Sequence, residues 1–255
     1  MSIYIWDKEI KNLYAWYTSI SDMQWPAPDG FHVPLYTEWV ALCWVLTTTF
    51  SLAQNATTMG TYLKMPMAGY RSYNSNIIVS DGYYWSSSSY SAPICLKFTS
   101  SSISSQYNYI YSDGCSIRCF KNKPEIPTSS WTTLYDWSSV ASWAWVFYNA
   151  TDGLISVSGD WVTWYTIQDK NLWATTVYNQ WDTVNDANSW YFYQWGNNYW
   201  FAHSWTVTTS STKVDASNYW PWNYYSSSTF ITWSGNWSSV QNNNLWWWVD
   251  WNVPV

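Results

Sequence analysis

The chain has 255 residues, enough for one large or two small domains with a core, yet only 10% of it is charged and its net charge is −6. Phosphate backbones reward clustered cations, and the sequence has no basic run, so nucleic acid is excluded as a partner. The longest apolar run, Trp39–Leu46, falls far short of the roughly 20 residues of a membrane span, so helical membrane insertion is excluded as well.

Ser, Thr, Asn and Tyr dominate the remainder, the composition of a secreted or cell-surface β-rich protein. No basic segment followed by an apolar one opens the chain, so no signal peptide is visible. Residues 1–122 read as one unit. Pro26–Pro34 is turn-rich. Thr37 is placed to cap a helix whose apolar stripe is Trp39, Leu42, Cys43 and Leu46. Glu38 then falls in the first turn, where a carboxylate suits the helix dipole. Ser/Thr-rich sequence runs to residue 61, and Pro66–Tyr70 reads as a loop. Gly82–Ser88, Pro93–Phe98 and Ser116–Phe120 read as short strands of an antiparallel sheet. Strand alternation puts Tyr84 on the face opposite Tyr83 and Trp85, so the three cannot form one sugar-stacking platform. Residues 123–131, with Pro124 and Pro127, read as a linker. Residues 132–255 lack cysteine and long amphipathic helices, with short strands at Trp161–Asp169 and Tyr191–Trp195.

No residue pattern calls for catalysis. Cys43, Cys95, Cys115 and Cys119 have no zinc spacing, and their even number suits one or two disulfides, buried free thiols being the alternative. Cys115 and Cys119 have no histidine or basic cluster nearby to lower a thiol pKa. His32 suits a satisfied core or loop position and His203 a surface one, and no G-x-S-x-G elbow is present. The acidic run 182–188 lacks the spacing and closing glutamate of a calcium loop. The chain is therefore expected to be no enzyme and to need no metal or other cofactor.

Nine glycines stand against 26 tryptophans, although average glycine usage is about 7% and a turn-rich chain needs more. Twenty of the 26 tryptophans lie beyond residue 130, many directly after Asn, Asp, Ser or Gln, as in Gln180-Trp181 and Ser204-Trp205. Tight turns put glycine in those slots because they require positive φ. The reading is that many of these residues are glycine in the living protein, encoded by UGA and rendered as tryptophan. The alternative is an aromatic-rich, glycan-binding surface.

Gly30-Phe31-His32-Val33-Pro34, Thr37-Glu38-Trp39, Trp85-Ser86-Ser87 and Ser116-Ile117-Arg118-Cys119 together resemble the Fibrobacter succinogenes major paralogous domain. That bacterial surface module is related to C-type lectin-like and formylglycine-generating-enzyme-like folds. Tyr193-Gln194-Trp195-Gly196-Asn197 resembles the amino-terminal portion of another copy, as does Trp164–Leu172. In these stretches Trp173 and Trp200 occupy family glycine slots, whereas Trp39, Trp85, Trp164, Trp195 and Trp246 match family tryptophans. The resemblance implies an α+β, C-type lectin-like fold: an antiparallel sheet with one or two short helices, followed by a β-rich partial repeat. It also implies that the motif residues are mostly structural. In this reading 1–122 is the carboxy-terminal portion of one copy and 132–255 the amino-terminal portion of a second, cut from a tandem array. A permuted single domain whose halves complete each other stays open. The expected function is non-enzymatic binding or display outside the cell, with an unidentified protein or glycan as partner. A purely structural surface repeat is the alternative.

Overall fold

The computed structural model describes residues 27–28, 30–49, 51–89, 92–136, 145–160, 162–189, 191–203, 206–219, 225–240 and 242. Before the proline-rich segment the strands are β1 Phe31–His32, β2 Tyr70–Arg71, β3 Ile77–Ile78, β4 Gly82–Ser89, β5 Pro93–Phe98, β6 Ile103–Asn108, β7 Gly114–Cys115 and β8 Phe120–Lys121. After it come β9 Thr132–Asp136, β10 Trp145–Asn149, β11 Leu154–Ser158, β12 Trp164–Gln168, β13 Tyr191–Gln194, β14 Phe201–Ala202, β15 Thr208–Ser210 and β16 Thr229–Ile231. Helix α1 is Tyr36–Trp44, continued by a π-helical stretch Val45–Thr49; α2 is Ala56–Leu63 and α3 is Asp186–Ser189. With 32% strand and 14% helix, the fold is mostly β with few short helices, and its antiparallel sheets include a curled half-barrel.

Helix α1 begins two residues earlier than Thr37 capping implies. Leu35 is the N-cap, and the Glu38 carboxylate, three residues on, accepts the Leu35 N–H at 2.7 Å. Thr37 lies inside the first turn, because Pro34 ends the preceding extended run and Glu38 already satisfies the exposed amide. The apolar stripe is as expected, with Trp39, Leu42, Cys43 and Leu46 all buried. Helix α2 falls where polar sequence gave no helical signal. Its Asn55 N-cap accepts the Thr58 N–H, and Lys64 in the left-handed conformation ends it. Segment Ser116–Phe120 is not one strand. Strand β7 ends before it at Cys115, β8 begins at its last residue, Phe120, and Arg118 between them is fully buried.

Strands from both sides of 123–131 build the same sheets. The six-stranded sheet runs β1-β8-β12-β11-β10-β9, all antiparallel, with Phe120 of β8 opposite Ile167 of β12. A second sheet, β14-β13-β7-β2-β3, pairs Tyr193 and Gln194 of β13 with Cys115 and Gly114 of β7. The third, β4-β5-β6, is centred on β5, and its outer strand β4 is buried along its whole length. Tyr83 and Trp85 enter one core with Cys95, Ile117, Trp195 and Trp237. Tyr84 enters the other with Trp39, Leu63, Phe120, Ile155 and Ile167. The alternation read from the sequence is right, but both faces are covered, so none of the three rings is open to a sugar.

All four cysteines are free and buried, in place of the one or two disulfides that their even number suggested. No described helix is long and apolar enough to cross a membrane.

Because the six-stranded sheet, the sheet that joins β7 to β13, and both cores draw on both portions, a break in the exposed turn at Ser129–Ser130 should not separate them. A protease site inserted there and cut under native conditions should leave fragments that co-elute in size-exclusion chromatography. Fragments that elute apart would contradict the shared-sheet arrangement.

Candidate functional site

The residues that the sequence singles out converge on one buried seam between β4 and β13. The Trp85 indole N–H donates to the Tyr193 carbonyl at 2.6 Å, and the Trp195 indole N–H donates to the Ser86 carbonyl at 3.0 Å. The Trp39 N–H donates to the Trp85 carbonyl at 3.3 Å, and the Trp237 N–H to the Trp195 carbonyl at 2.7 Å. All four rings are at most 1% exposed. A buried indole costs stability unless its N–H finds an acceptor, and here each finds a main-chain one. Trp237 is the member that motif comparison missed. Its signal in the sequence was only one more tryptophan among many.

The remaining motif residues tie loops to this seam. Ser86 Oγ donates to the Ile94 carbonyl, and the Ser87 N–H donates to the Pro34 carbonyl, fastening β4 to the entry of α1. Gln194 is fully buried: its amide donates to the Ser112 and Ile231 carbonyls and accepts the Ile231 N–H. Gly196, at φ +85°, turns the chain so that Asn197 can accept the Tyr199 and Ser227 N–H groups and donate to the Ser227 carbonyl. Gly30, at φ +82°, sets up β1, while Phe31 is half-buried and Val33 and Pro34 are buried.

Arg118 is completely buried and donates to the Leu63, Lys64 and Gln168 carbonyls and to Asn171 Oδ1. It thereby accepts the role of capping the last turn of α2 while binding the chain just after β12. An Arg fork holds several acceptors at once, which a lysine cannot copy. Burial lowers its pKa, with partial compensation from Tyr84 and Asp169.

His32 joins this frame through both ring nitrogens. Nε2 lies 3.0 Å from Glu38 Oε2, and Nδ1 lies 2.8 Å from Asn122 Oδ1. Burial, the largest influence, pulls its pKa down, but the Glu38 charge and the two hydrogen bonds carry it above 6.5. His203 is not the surface residue expected. Its side chain is 12% exposed, with Nε2 3.1 Å from the Ala68 carbonyl and Nδ1 3.5 Å from Asp186.

The thiols are poorly set for chemistry. Burial pushes Cys43 up to about 12 and raises Cys119 further, while burial and the Cys95 thiol raise Cys115. Only the thiolate attacks, so such groups are inert as nucleophiles at neutral pH. Among the described residues no three His, Cys, Asp or Glu side chains gather as metal ligands. Asp113 was not anticipated. Burial raises its pKa to about 7, and the Tyr73 N–H at 2.6 Å offsets only part of that.

The tryptophans in expected glycine slots behave differently from the seam. Trp173 and Trp181 take positive φ, 65° and 80°, and their side chains are 57% and 83% exposed. Trp200 has no positive φ, and its ring packs against Tyr191 and Tyr199. Trp164 is buried, like the seam residues it was grouped with. Trp190, Trp205 and Trp246 lie outside the described residues.

Comparison with family models, with curated proteins and with solved structures finds no match to this chain.

Two outcomes follow. Trp85→Phe or Trp195→Phe keeps a large ring but strips a buried carbonyl of its donor, costing about 1–3 kcal/mol in urea unfolding. Trp44→Phe, at a ring 59% exposed, should stay within about 0.5 kcal/mol of the parent. Equal losses at all three sites would contradict the seam.

The pH dependence has a fixed sign. Asp113 is held above its ordinary 3.8, so its contribution to stability is complete below that value and is lost as pH rises through about 7. His32 acts in the same direction, present below 6.5 and lost as pH rises through its raised value. Melting temperature should therefore fall between pH 4 and pH 8, and Asp113→Asn, which still accepts the Tyr73 N–H, should flatten the acid part of that fall. A parent that gains stability across this interval would show the assignment to be wrong.

Proposed function

We propose that the chain is a non-enzymatic, extracellular module of C-type lectin-like type that binds or displays a protein or glycan at a bacterial cell surface. The observation that carries this reading is where the family-motif side chains are spent. Trp39, Trp85, Trp195, Arg118, Gln194 and Asn197 are each turned onto main-chain acceptors of neighbouring loops and strands. Such residues hold a scaffold. Recognition is then left to the loops that the scaffold carries, as in other rigid β frameworks. The buried, alkaline-shifted thiols argue against the thiol chemistry of the formylglycine-generating enzymes. The net charge of −6 argues against a nucleic-acid partner.

Glycan and protein arrays probed with the intact chain provide the test. The expected result is a retained ligand whose signal disappears when the chain is heat-unfolded. Concentration-dependent self-association with no ligand retained would instead make the chain a structural repeat. Turnover of a cysteine substrate that requires copper and reduced thiols would overturn the non-enzymatic reading.

A further inference from the structure

Four described turns share one construction. In each, the N–H of the fourth residue donates to the carbonyl of the first, and the third residue has positive φ. They are Pro28–Phe31, Asn171–Ala174, Asn179–Asp182 and Gln194–Asn197, closed at 3.0, 2.8, 2.9 and 2.9 Å. Their third residues have φ of 82°, 65°, 80° and 85°. In the first and last turns that residue is glycine, Gly30 and Gly196. In the middle two it is Trp173 and Trp181.

Positive φ at the third position is the mark of a turn that wants glycine, because a Cβ there meets the adjoining carbonyl. A bulky residue persists in such a place only when its side chain makes contacts that hold it there. These two residues are 57% and 83% exposed, so most of each is surrounded by solvent rather than packing. Trp39, Trp85, Trp195 and Trp237 are the opposite case, with buried rings and bonded indoles. The other non-glycine residues with positive φ, Ser51, Lys64 and Ser75, are not the third residue of such a turn. The chain thus holds two kinds of tryptophan, one demanded by packing and one set where backbone geometry demands glycine.

We infer that residues 173 and 181 of the polypeptide made by its source are glycines, encoded by UGA codons that the source reads as glycine. The inference is independent of the proposed function, since it concerns the backbone of two turns. It turns the general glycine deficit into two named positions and leaves the seam tryptophans untouched.

Two measurements test it. In protein isolated from its source, the tryptic peptide 171–213 should weigh with glycine at 173 and 181 and tryptophan at 195. Tryptophan at either 173 or 181 would overturn the inference for that position. In recombinant protein carrying both tryptophans, Trp173→Gly and Trp181→Gly should each raise the melting temperature above that of the parent and of the matching alanine variant. Alanine removes the ring but keeps the Cβ, so equal melting of the glycine and alanine variants would locate the effect in the ring and contradict the backbone argument.

Discussion

Trp85 donates its indole N–H to the carbonyl of Tyr193 while Trp195 donates its own to the carbonyl of Ser86. Each ring therefore fixes the strand that carries the other, across 109 positions of sequence in one case and 108 in the other. This reciprocity sets what surrounds it. Trp39 reaches the same strand from α1 and Trp237 reaches the same turn from the far end of the chain. Trp85, Trp195 and Trp237 lie in one buried core and Trp39 in the other, so the indole bonds join the two cores, whose close packing tolerates little displacement. Gln194 and Arg118 then complete the joint with amide and guanidinium forks that satisfy carbonyls a sheet edge would otherwise leave open.

Much of the scaffold was legible in the sequence. The stripe 39, 42, 43 and 46 gave α1, and strand alternation put Tyr84 opposite Trp85, because both follow from side-chain period alone. The motif residues proved to be neighbours in space, which their spacing could only suggest. What the sequence concealed has physical causes. Helix α2 is built from Ala-Thr-Thr-Met-Gly-Thr-Tyr-Leu, in which three threonines and a glycine dilute the good formers Ala, Met and Leu, so it depends on its Asn55 cap and on burial of Met59 and Leu63. A Cβ at Gly60 would meet the Gln180 side-chain amide, which would have to swing aside. Strands β9, β10 and β11 pair by simple hairpins, but their apolar residues are diluted by Ser, Thr and Asn. The raised pKa of Asp113 and the pairing of His32 with Glu38 and Asn122 depend on tertiary neighbours, so no local pattern announces them.

The sharing of sheets between 1–122 and 132–255 bears on what a unit of this protein is. Phe120 pairs with Ile167, Cys115 with Tyr193, and Arg118 binds the Gln168 carbonyl, so neither portion has a closed core without the other. Many joints of the frame are side chains bonded to main-chain carbonyls. Frames of that kind hold loops in place without constraining their sequence.

Native-state hydrogen exchange reads whether the two portions open as one cooperative unit through the tryptophan seam. Amides in β4 and β5 and amides in β11 and β12 should open with the same free energy, and Trp85→Phe should lower both sets equally. Exchange of β11 and β12 at a distinct free energy, unmoved by Trp85→Phe, would contradict it.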